Sequence, residues 1–248
     1  MTVQNVFDFL NKLFPVGTAC DFDNVGLLVG DSKAEVKKAL ISLDCTLDTI
    51  KVAKENECNL IITHHPVIFS PLKNILEGSI AFELISNGIA VISMHTNLDI
   101  ANGGVSEWLC KSIGLKNIVP VTAEDGFILR AGETAPLSAD CFAEKIKAAL
   151  GGCVKYLDSG KEIKNVLVCS GSGGEFIETA ISEGFDAFVS AEIKHHQFLT
   201  ADDCGISVFD AGHFYTEDII VEPLCELLRH EFSDIDFLTY HNNNIKFK

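Results

Sequence analysis

The chain has 248 residues, of which 47% are hydrophobic, and this is enough to bury a sizeable core in one large domain or two small ones. Acidic residues outnumber Lys and Arg by 35 to 19, and the resulting net charge of -16 argues against direct binding to the phosphates of DNA or RNA. A polyphosphate substrate would also be repelled unless bound cations reversed the charge locally.

The N-terminal segment predicts an amphipathic helix that ends at Pro15 and Gly17. It lacks the basic start and apolar run of a signal peptide, and no segment approaches the ~18 apolar residues that span a bilayer. The nine cysteines are scattered, with no C-x-x-C pair, which favours a reducing compartment. We therefore expect a soluble, cytoplasmic protein.

A strand-helix-strand pattern occurs twice along the chain. The first copy comprises KKALISLD, LDTIKVAKENEC and NLIITHH, and the second comprises NVLVCS, GEFIETAISEG and FDAFVSAEIKHH. GIAVISMHT (88–96) and GISVFDAGH (205–213) extend the correspondence. The repeat predicts an α/β fold of two duplicated, interlocked halves, residues 1–124 and 125–248, joined at the AEDG turn.

Polar residues follow the first predicted strand end, where His64 and His65 precede Pro66. Neighbouring side chains on a regular strand point to opposite faces, so the tandem pair suits two adjacent ions or a chain that is already turning. A pair of surface or core-capping histidines is the alternative. At the second strand end, Asp99 is a candidate ligand or an ordinary loop carboxylate, and His95 is a candidate ligand, acid/base or supporting group.

The third strand end carries His213 and Glu217, whose spacing of four residues places them on one face of a helix that begins at or before His213. Alternatively, Thr216 is the N-cap of a later helix and Glu217 is an ordinary first-turn carboxylate. Pro223 implies a kink or a late helix start.

Together, these histidines and carboxylates form a ligand set that suits Zn²⁺, Mn²⁺, Fe²⁺ or Co²⁺. Two such ions often share a carboxylate and activate water, and Glu217 is the predicted bridge. The predicted ligands are His64, His65, Asp99, His213 and Glu217. Because they come from both predicted halves, we expect a dinuclear metal site between the halves.

Two further segments are candidates for substrate binding. The glycine-rich turn with Gly171, Gly173 and Gly174 predicts either an anion-binding loop or a tight turn that requires positive φ. It lacks the Lys and Ser/Thr of a P-loop. The segment Lys194-His195-His196 corresponds to the first tandem histidine pair, so Lys194 and His196 are candidate phosphate binders or proton donors, with solvated surface as the alternative.

Several of these segments in this order resemble the Nif-three-like family, whose bacterial members are usually called GTP cyclohydrolase I type 2 homologues. The resemblance covers residues 6–230 and is carried by DNVGLLVG (23–30), THHPVIF (63–69), HTNLD with NGG (95–104), CSGSGG (169–174), SAEIKHH (190–196) and GHFYTE (212–217). It implies a duplicated α/β fold, a toroidal homohexamer and two metals held by the five ligands named above. The chain is too short for the central inserted domain of longer relatives, and it has Cys20-Asp21 where relatives often carry a Glu.

Three functions remain open at this point. The first is a two-metal hydrolase that acts on a nucleotide or another phosphorylated compound, with His95, Lys194 or His196 assisting proton transfer. The resemblance alone supplies GTP as the named substrate. The second is a metal-binding or metal-delivery protein without turnover, and the third is a protein-interaction module.

Overall fold

The computed structural model describes residues 1–246, in which helices and strands alternate through most of the chain. The helices are α1 Val3–Leu13, α2 Leu47–Glu55, α3 Ile80–Ser86, α4 Thr96–Asp99, α5 Val105–Ser112, α6 Ala139–Leu150, α7 Ile177–Ser182, α8 His195–Cys204, α9 His213–Glu217 and α10 Val221–Glu231. The strands are β1 Gly26–Val29, β2 Lys38–Ser42, β3 Leu60–Thr63, β4 Ala90–Ser93, β5 Lys116–Thr122, β6 Ile128–Leu137, β7 Lys155–Leu157, β8 Ile163–Ser172, β9 Ala187–Ala191, β10 Ser207–Asp210 and β11 Asp236–Tyr240.

The described residues form two compact units. Unit 1 contains Met1–Leu98 and Ile220–Lys246, and unit 2 contains the stretch that begins at Asp99 and ends at Ile219. These bounds differ from the predicted halves, 1–124 and 125–248. The expected joint near residue 124 lies within a hairpin, because β5 and β6 pair antiparallel on either side of it. The C-terminal α10 and β11 belong to unit 1, because β11 pairs with β2.

Unit 1 has a mixed sheet with the strand order β1-β4-β3-β2-β11. All pairings are parallel except that of β1 with β4. β3 and β4 are continuous buried runs, as expected of parallel strands covered on both faces. The α2 helix begins at a Thr46 capping box and buries Ile50 and Ala53 against the strands, so the predicted β-α-β pattern is confirmed here.

Unit 2 has a mixed sheet with the order β5-β6-β8-β9-β10-β7, in which β8, β9 and β10 are parallel. Side chains alternate along β8: Val166 and Val168 enter one hydrophobic cluster, whereas Leu167 and Cys169 enter another. The segments β8, α7 and β9 repeat the order of β2, α2 and β3. The α/β class and the repeated strand-helix-strand order are thus present in the structure.

The N-terminal helix agrees with its prediction. α1 ends at Leu13, just before Pro15, and buries Val3, Val6 and Leu10 on one face. Among residues 1–246, no helix is both long enough and apolar enough to cross a membrane.

Candidate metal centre

Three imidazoles cluster in unit 1. β3 ends at Thr63, whose hydroxyl donates to the carbonyl of His65 at 2.8 Å, so the chain has left the regular strand where the tandem pair begins. The ring centroids of His64 and His65 are 5.0 Å apart, and each has a ring nitrogen within 4.8 Å of one on His95. Of the two expectations for the tandem pair, the turning chain is the one found.

Each ring in this cluster is oriented through its Nδ1 atom. The contacts join His64 to the Met94 carbonyl oxygen at 2.9 Å, His65 to Asp44 Oδ1 at 2.7 Å and His95 to Asp23 Oδ1 at 3.0 Å. Because a carbonyl or carboxylate oxygen only accepts, the proton resides on Nδ1, and Nε2 is the ring atom that would coordinate a metal ion. Histidines that bind metals commonly have this arrangement. Asp44 and Asp23 were not predicted as site residues, although Asp44 ends the predicted strand KKALISLD and Asp23 opens the segment DNVGLLVG.

Asp23 is the most strongly held of these carboxylates. Its side chain is fully buried, and it accepts hydrogen bonds from His95 Nδ1 and from the backbone amide and hydroxyl of Thr96. Burial by itself raises the pKa of Asp23, but the hydrogen bonds from His95 and Thr96 outweigh it and lower the pKa to about 2. Asp23 is therefore an anion at neutral pH, and its carboxylate fixes the orientation of the His95 ring.

We expect Asp23 to make stability depend on acid pH. Its pKa is depressed from 3.8 to about 2 on folding, so its contribution is present above about pH 4 and is lost as the pH falls towards 2. At ~1.4 kcal/mol per pKa unit, the contribution is roughly 2 kcal/mol. Urea unfolding of the wild type and Asp23→Asn at pH 7 and pH 3 measures it. The difference between the two proteins should shrink at pH 3, and a constant difference would refute the assignment.

In unit 2, His213 and Glu217 form a pair on one helical turn. α9 begins at His213, so Thr216 is not an N-cap, and its hydroxyl donates to the His213 carbonyl at 2.8 Å. His213 Nε2 lies 2.9 Å from Glu217 Oε2, and His213 Nδ1 lies 3.0 Å from Glu192 Oε1. A ring with a carboxylate at each nitrogen needs a proton or a cation on both sides.

The expected late helix start is also present, because α10 begins at Val221 and Pro223 occupies its first turn, where no amide donor is needed.

Glu192 adopts a backbone conformation that is uncommon for a residue with a side chain. Its φ is 55°, in the left-handed region, directly after β9. This conformation costs about 1 kcal/mol or more and is typical of sites where geometry serves function. Here it accompanies the contact between the Glu192 carboxylate and His213.

Asp99 is the second buried carboxylate of unit 2. Its Oδ1 accepts a hydrogen bond from Ser170 Oγ at 2.7 Å, and Ser106 contacts the same hydroxyl at 2.9 Å. An oxygen of Asp99 lies within 4.8 Å of an oxygen of Glu217. Two buried carboxylates this close repel each other as anions, and a bound cation would relieve that repulsion.

Gly171 makes room for the Glu217 carboxylate. It has a φ of 59°, and a Cβ atom at this position would lie 1.9 Å from Glu217 Oε1. Only glycine fits here without displacing that side chain. The neighbouring thiol of Cys169 is buried, and burial together with Asp99 and nearby glutamates raises its pKa well above 9.0. The side chains that could bind a metal here are therefore imidazoles and carboxylates, which is the set expected from the sequence.

The loop after Asp99 is held by Arg130, which is 2% exposed. Its guanidinium donates to the Ile100 carbonyl at 2.8 Å and to Asn102 Oδ1 at 3.2 Å. Glu107 lies 4.0 Å from Arg130 Nε and accepts the Gly103 amide at 2.8 Å. Arg130 and Glu107 thus fix the backbone that follows Asp99.

Replacing Arg130 with Met should destabilise the protein by about 3 kcal/mol, because the partly buried Ile100 carbonyl and Glu107 carboxylate lose their charged partner. Urea unfolding measures the loss, with the exposed Lys164→Met as the control. A loss below about 1 kcal/mol would mean that these hydrogen bonds contribute little.

The remaining predicted residues lie in two places. In the glycine-rich turn, the Gly171 and Gly173 amides donate to the hydroxyls of Thr216 and Ser190 at 3.1 and 3.0 Å, so these two amides have partners inside the protein. Anion binding by Gly171, Gly173 and Gly174 stays a prediction. Lys194, His195 and His196 are exposed at the start of α8, so the second histidine pair opens a helix, and a catalytic role for Lys194 or His196 also stays a prediction.

Fold and side chains together define an α/β protein with two mixed sheets and with clusters of His, Asp and Glu of the kind that holds divalent metal ions. Comparison with known proteins gives the family. Residues 1–244 match the family described as Duf34/NIF3 (NGG1p interacting factor 3), and the chain belongs to this family.

Individual relatives cover nearly the whole chain. A GTP cyclohydrolase 1 type 2 of Helicobacter pylori strain J99 is 35% identical over 238 residues, which is 93% of each chain. A GTP cyclohydrolase 1 type 2 homologue of Clostridium acetobutylicum is 33% identical over 229 residues, which is 88% of this chain and 85% of the relative. The crystal structure of a hypothetical protein of Staphylococcus aureus has a TM-score of 0.93 at 30% identity and covers 100% of this chain and 99% of the other.

Proposed function

We propose that the protein is a two-metal hydrolase that acts on a nucleotide or another phosphorylated compound. The proposed ligands are His64, His65, Asp99, His213 and Glu217. The observation that carries the proposal is the orientation of the rings. Every histidine of this set has its Nδ1 against an oxygen acceptor, so Nε2 is the atom of each ring that would coordinate an ion, and in His213 this atom lies 2.9 Å from the carboxylate of Glu217.

The donor set fits a borderline-hard divalent ion such as Zn²⁺, Mn²⁺, Fe²⁺ or Co²⁺. When bound, such ions polarise phosphoryl or carbonyl oxygens and activate water near neutral pH. The chain itself contributes fixed ligands and a buried carboxylate pair, Asp99 and Glu217, which suits cations. His95, oriented by Asp23, is the proposed proton-transfer residue.

The substrate class rests on charge and on relatives. With a net charge of -16, the chain as a whole repels an anionic substrate, and two divalent ions would reverse that repulsion locally. The Helicobacter pylori relative is named as a GTP cyclohydrolase 1 type 2, so GTP is the first nucleotide to test. Lys194 and His196, both exposed, are proposed to assist by binding phosphate or by donating protons.

Metal analysis tests the proposal most directly. The purified wild type should carry close to two divalent ions per chain, and the metal-loaded protein should turn over GTP or a phosphoester. His64→Ala should lose metal and activity together, because His64 is 2% exposed and has a fixed ring. His230→Ala, at an exposed position of α10, is the matched control and should keep both.

The outcomes separate an enzyme from a protein that only stores or delivers metal. If His64→Ala loses metal but no metal-loaded protein turns over substrate, the proposal of catalysis is rejected and that of metal binding is kept. Unchanged metal content in His64→Ala would reject the site itself.

We also propose a homohexamer, as the family resemblance implies. Light scattering of the purified protein should give a mass near six times 26.9 kDa, and a monomeric mass would contradict it.

A further inference from the structure

Two phenylalanine rings are exposed beside the imidazole cluster of unit 1. Phe22 is 67% exposed and Phe69 is 51% exposed, and their ring centroids are 6.3 Å apart. The Phe69 ring also meets His95 edge-on, with centroids 6.3 Å apart and an interplanar angle of 80°. A contiguous exposed apolar patch usually marks a binding site, and this one ends on a candidate catalytic residue.

Hydrogen bonds hold the two segments that carry these rings. Asn24 Nδ2 donates to the Ile68 carbonyl at 2.5 Å, which ties the residue before Phe69 to the segment of Phe22. The Asp23 amide donates to the Cys20 carbonyl at 2.9 Å, so Phe22 lies within a closed turn. The Asp23 carboxylate then joins this turn to His95 and Thr96. The backbone segments that carry the rings are therefore held relative to His95 before any ligand binds, which lowers the entropic cost of binding.

We propose that Phe22 and Phe69, whose ring planes are inclined at 47°, bind the planar heteroaromatic ring of the substrate, a nucleobase, with one ring stacked on its face and the other against its edge, and place it next to His95. The inference rests on the proposed function and names the part of the substrate that the metal ligands do not recognise. A base has apolar faces and a polar edge. An aromatic surface that ends in an imidazole with a fixed Nδ1 proton matches both, because one ring takes a face of the base and His95 Nε2 accepts from its edge.

The geometry favours a base over an aliphatic partner. Farther along the same loop, Leu72, Ile75 and Leu76 are also exposed, but the ring that meets His95 is that of Phe69, which in turn meets Phe22. Stacking of a base on an aromatic side chain tolerates any base, so the pair sets the class of substrate and leaves the choice among bases to polar contacts.

Calorimetry on metal-loaded protein tests the inference with two probes, a non-hydrolysable GTP analogue and inorganic tripolyphosphate. Phe22→Ala and Phe69→Ala should each weaken binding of the analogue about 10-fold and leave tripolyphosphate binding unchanged. Phe22→Trp should keep or strengthen binding of the analogue. Ile85→Ala, which removes an apolar side chain that is 57% exposed on α3, is the control and should change neither affinity.

Any of the following results would overturn the inference. An equal loss of affinity for both probes would mean that the pair supports the metal site. Unchanged affinity for the analogue, or a change in mass by light scattering that accompanies the loss, would mean that the pair does not bind a base or instead covers another copy of the chain. If the wild type binds tripolyphosphate no less tightly than the analogue, the base is not recognised and the proposed hydrolase still stands. If it binds neither probe, the proposed function fails as well.

Discussion

Gly171→Ala should abolish metal binding in a protein that still folds. A Cβ atom there would lie 1.9 Å from Glu217 Oε1 and 3.0 Å from Glu217 Cδ, so the carboxylate has to move. Glu217 is 3% exposed on the short helix α9, and its displacement also removes it from His213 Nε2, 2.9 Å away. We expect metal content to fall to below about a tenth of the wild-type value, because the displaced side chain would offer no oxygen to either proposed ion and would leave its charge misplaced within the site.

The control for this substitution has to match its backbone strain. Gly184 also has a positive φ, 74°, but nothing lies within 4 Å of the Cβ position. Gly184→Ala should therefore lose about 1 kcal/mol of stability, as an alanine in this conformation does, and keep its full metal content. The double variant Gly171→Ala with Glu217→Asp shortens the acidic side chain and should recover part of the metal. Wild-type metal content in Gly171→Ala would show that Glu217 is not a ligand.

The candidate metal ligands are accessible to sequence reasoning because they follow strands. In an α/β fold, the carboxyl ends of parallel strands gather polar residues, and His64 and His213 lie just beyond β3 and β10. Whether α9 begins at His213 or after Thr216 is a local choice that the sequence leaves open. The structure decides it, because the Thr216 hydroxyl bonds back to the His213 carbonyl.

The residues that contact the histidines and the bounds of the two units are harder to predict from the sequence. Glu192 lies 21 residues before His213 in the sequence, and its carboxylate contacts His213. The contact accompanies a left-handed backbone at Glu192, a conformation that the sequence does not predict for a glutamate. The return of β11 to pair with β2 is a contact between distant parts of the chain, so hydrophobic periodicity alone does not place that strand beside β2. Periodicity likewise does not show that β5 and β6 pair as a hairpin, and the joint expected near residue 124 lies within that hairpin.

Glu217→Gln should reduce the number of bound metal ions without destabilising the metal-free protein. Glutamine keeps the size of the side chain and removes its charge, so the buried pair of Glu217 and Asp99, with oxygens within 4.8 Å, no longer repels. The metal-free variant should therefore unfold at the same temperature as the metal-free wild type or higher. With metal, it should bind one ion per chain and lose roughly 1000-fold in turnover, which corresponds to about 4 kcal/mol of transition-state stabilisation.

Thermal unfolding with and without metal measures both halves of this prediction. A ligand that binds only the folded state raises the unfolding temperature, so the metal-induced rise should be smaller in Glu217→Gln than in the wild type. Glu231→Gln, at an exposed position near the end of α10, removes one negative charge without touching either cluster and should behave as the wild type. If Glu217→Gln keeps two ions and full turnover, Glu217 does not bridge the metals. If its metal-free form is markedly less stable than the wild type, the carboxylate instead stabilises the fold, through its contact with His213, in the absence of any ion.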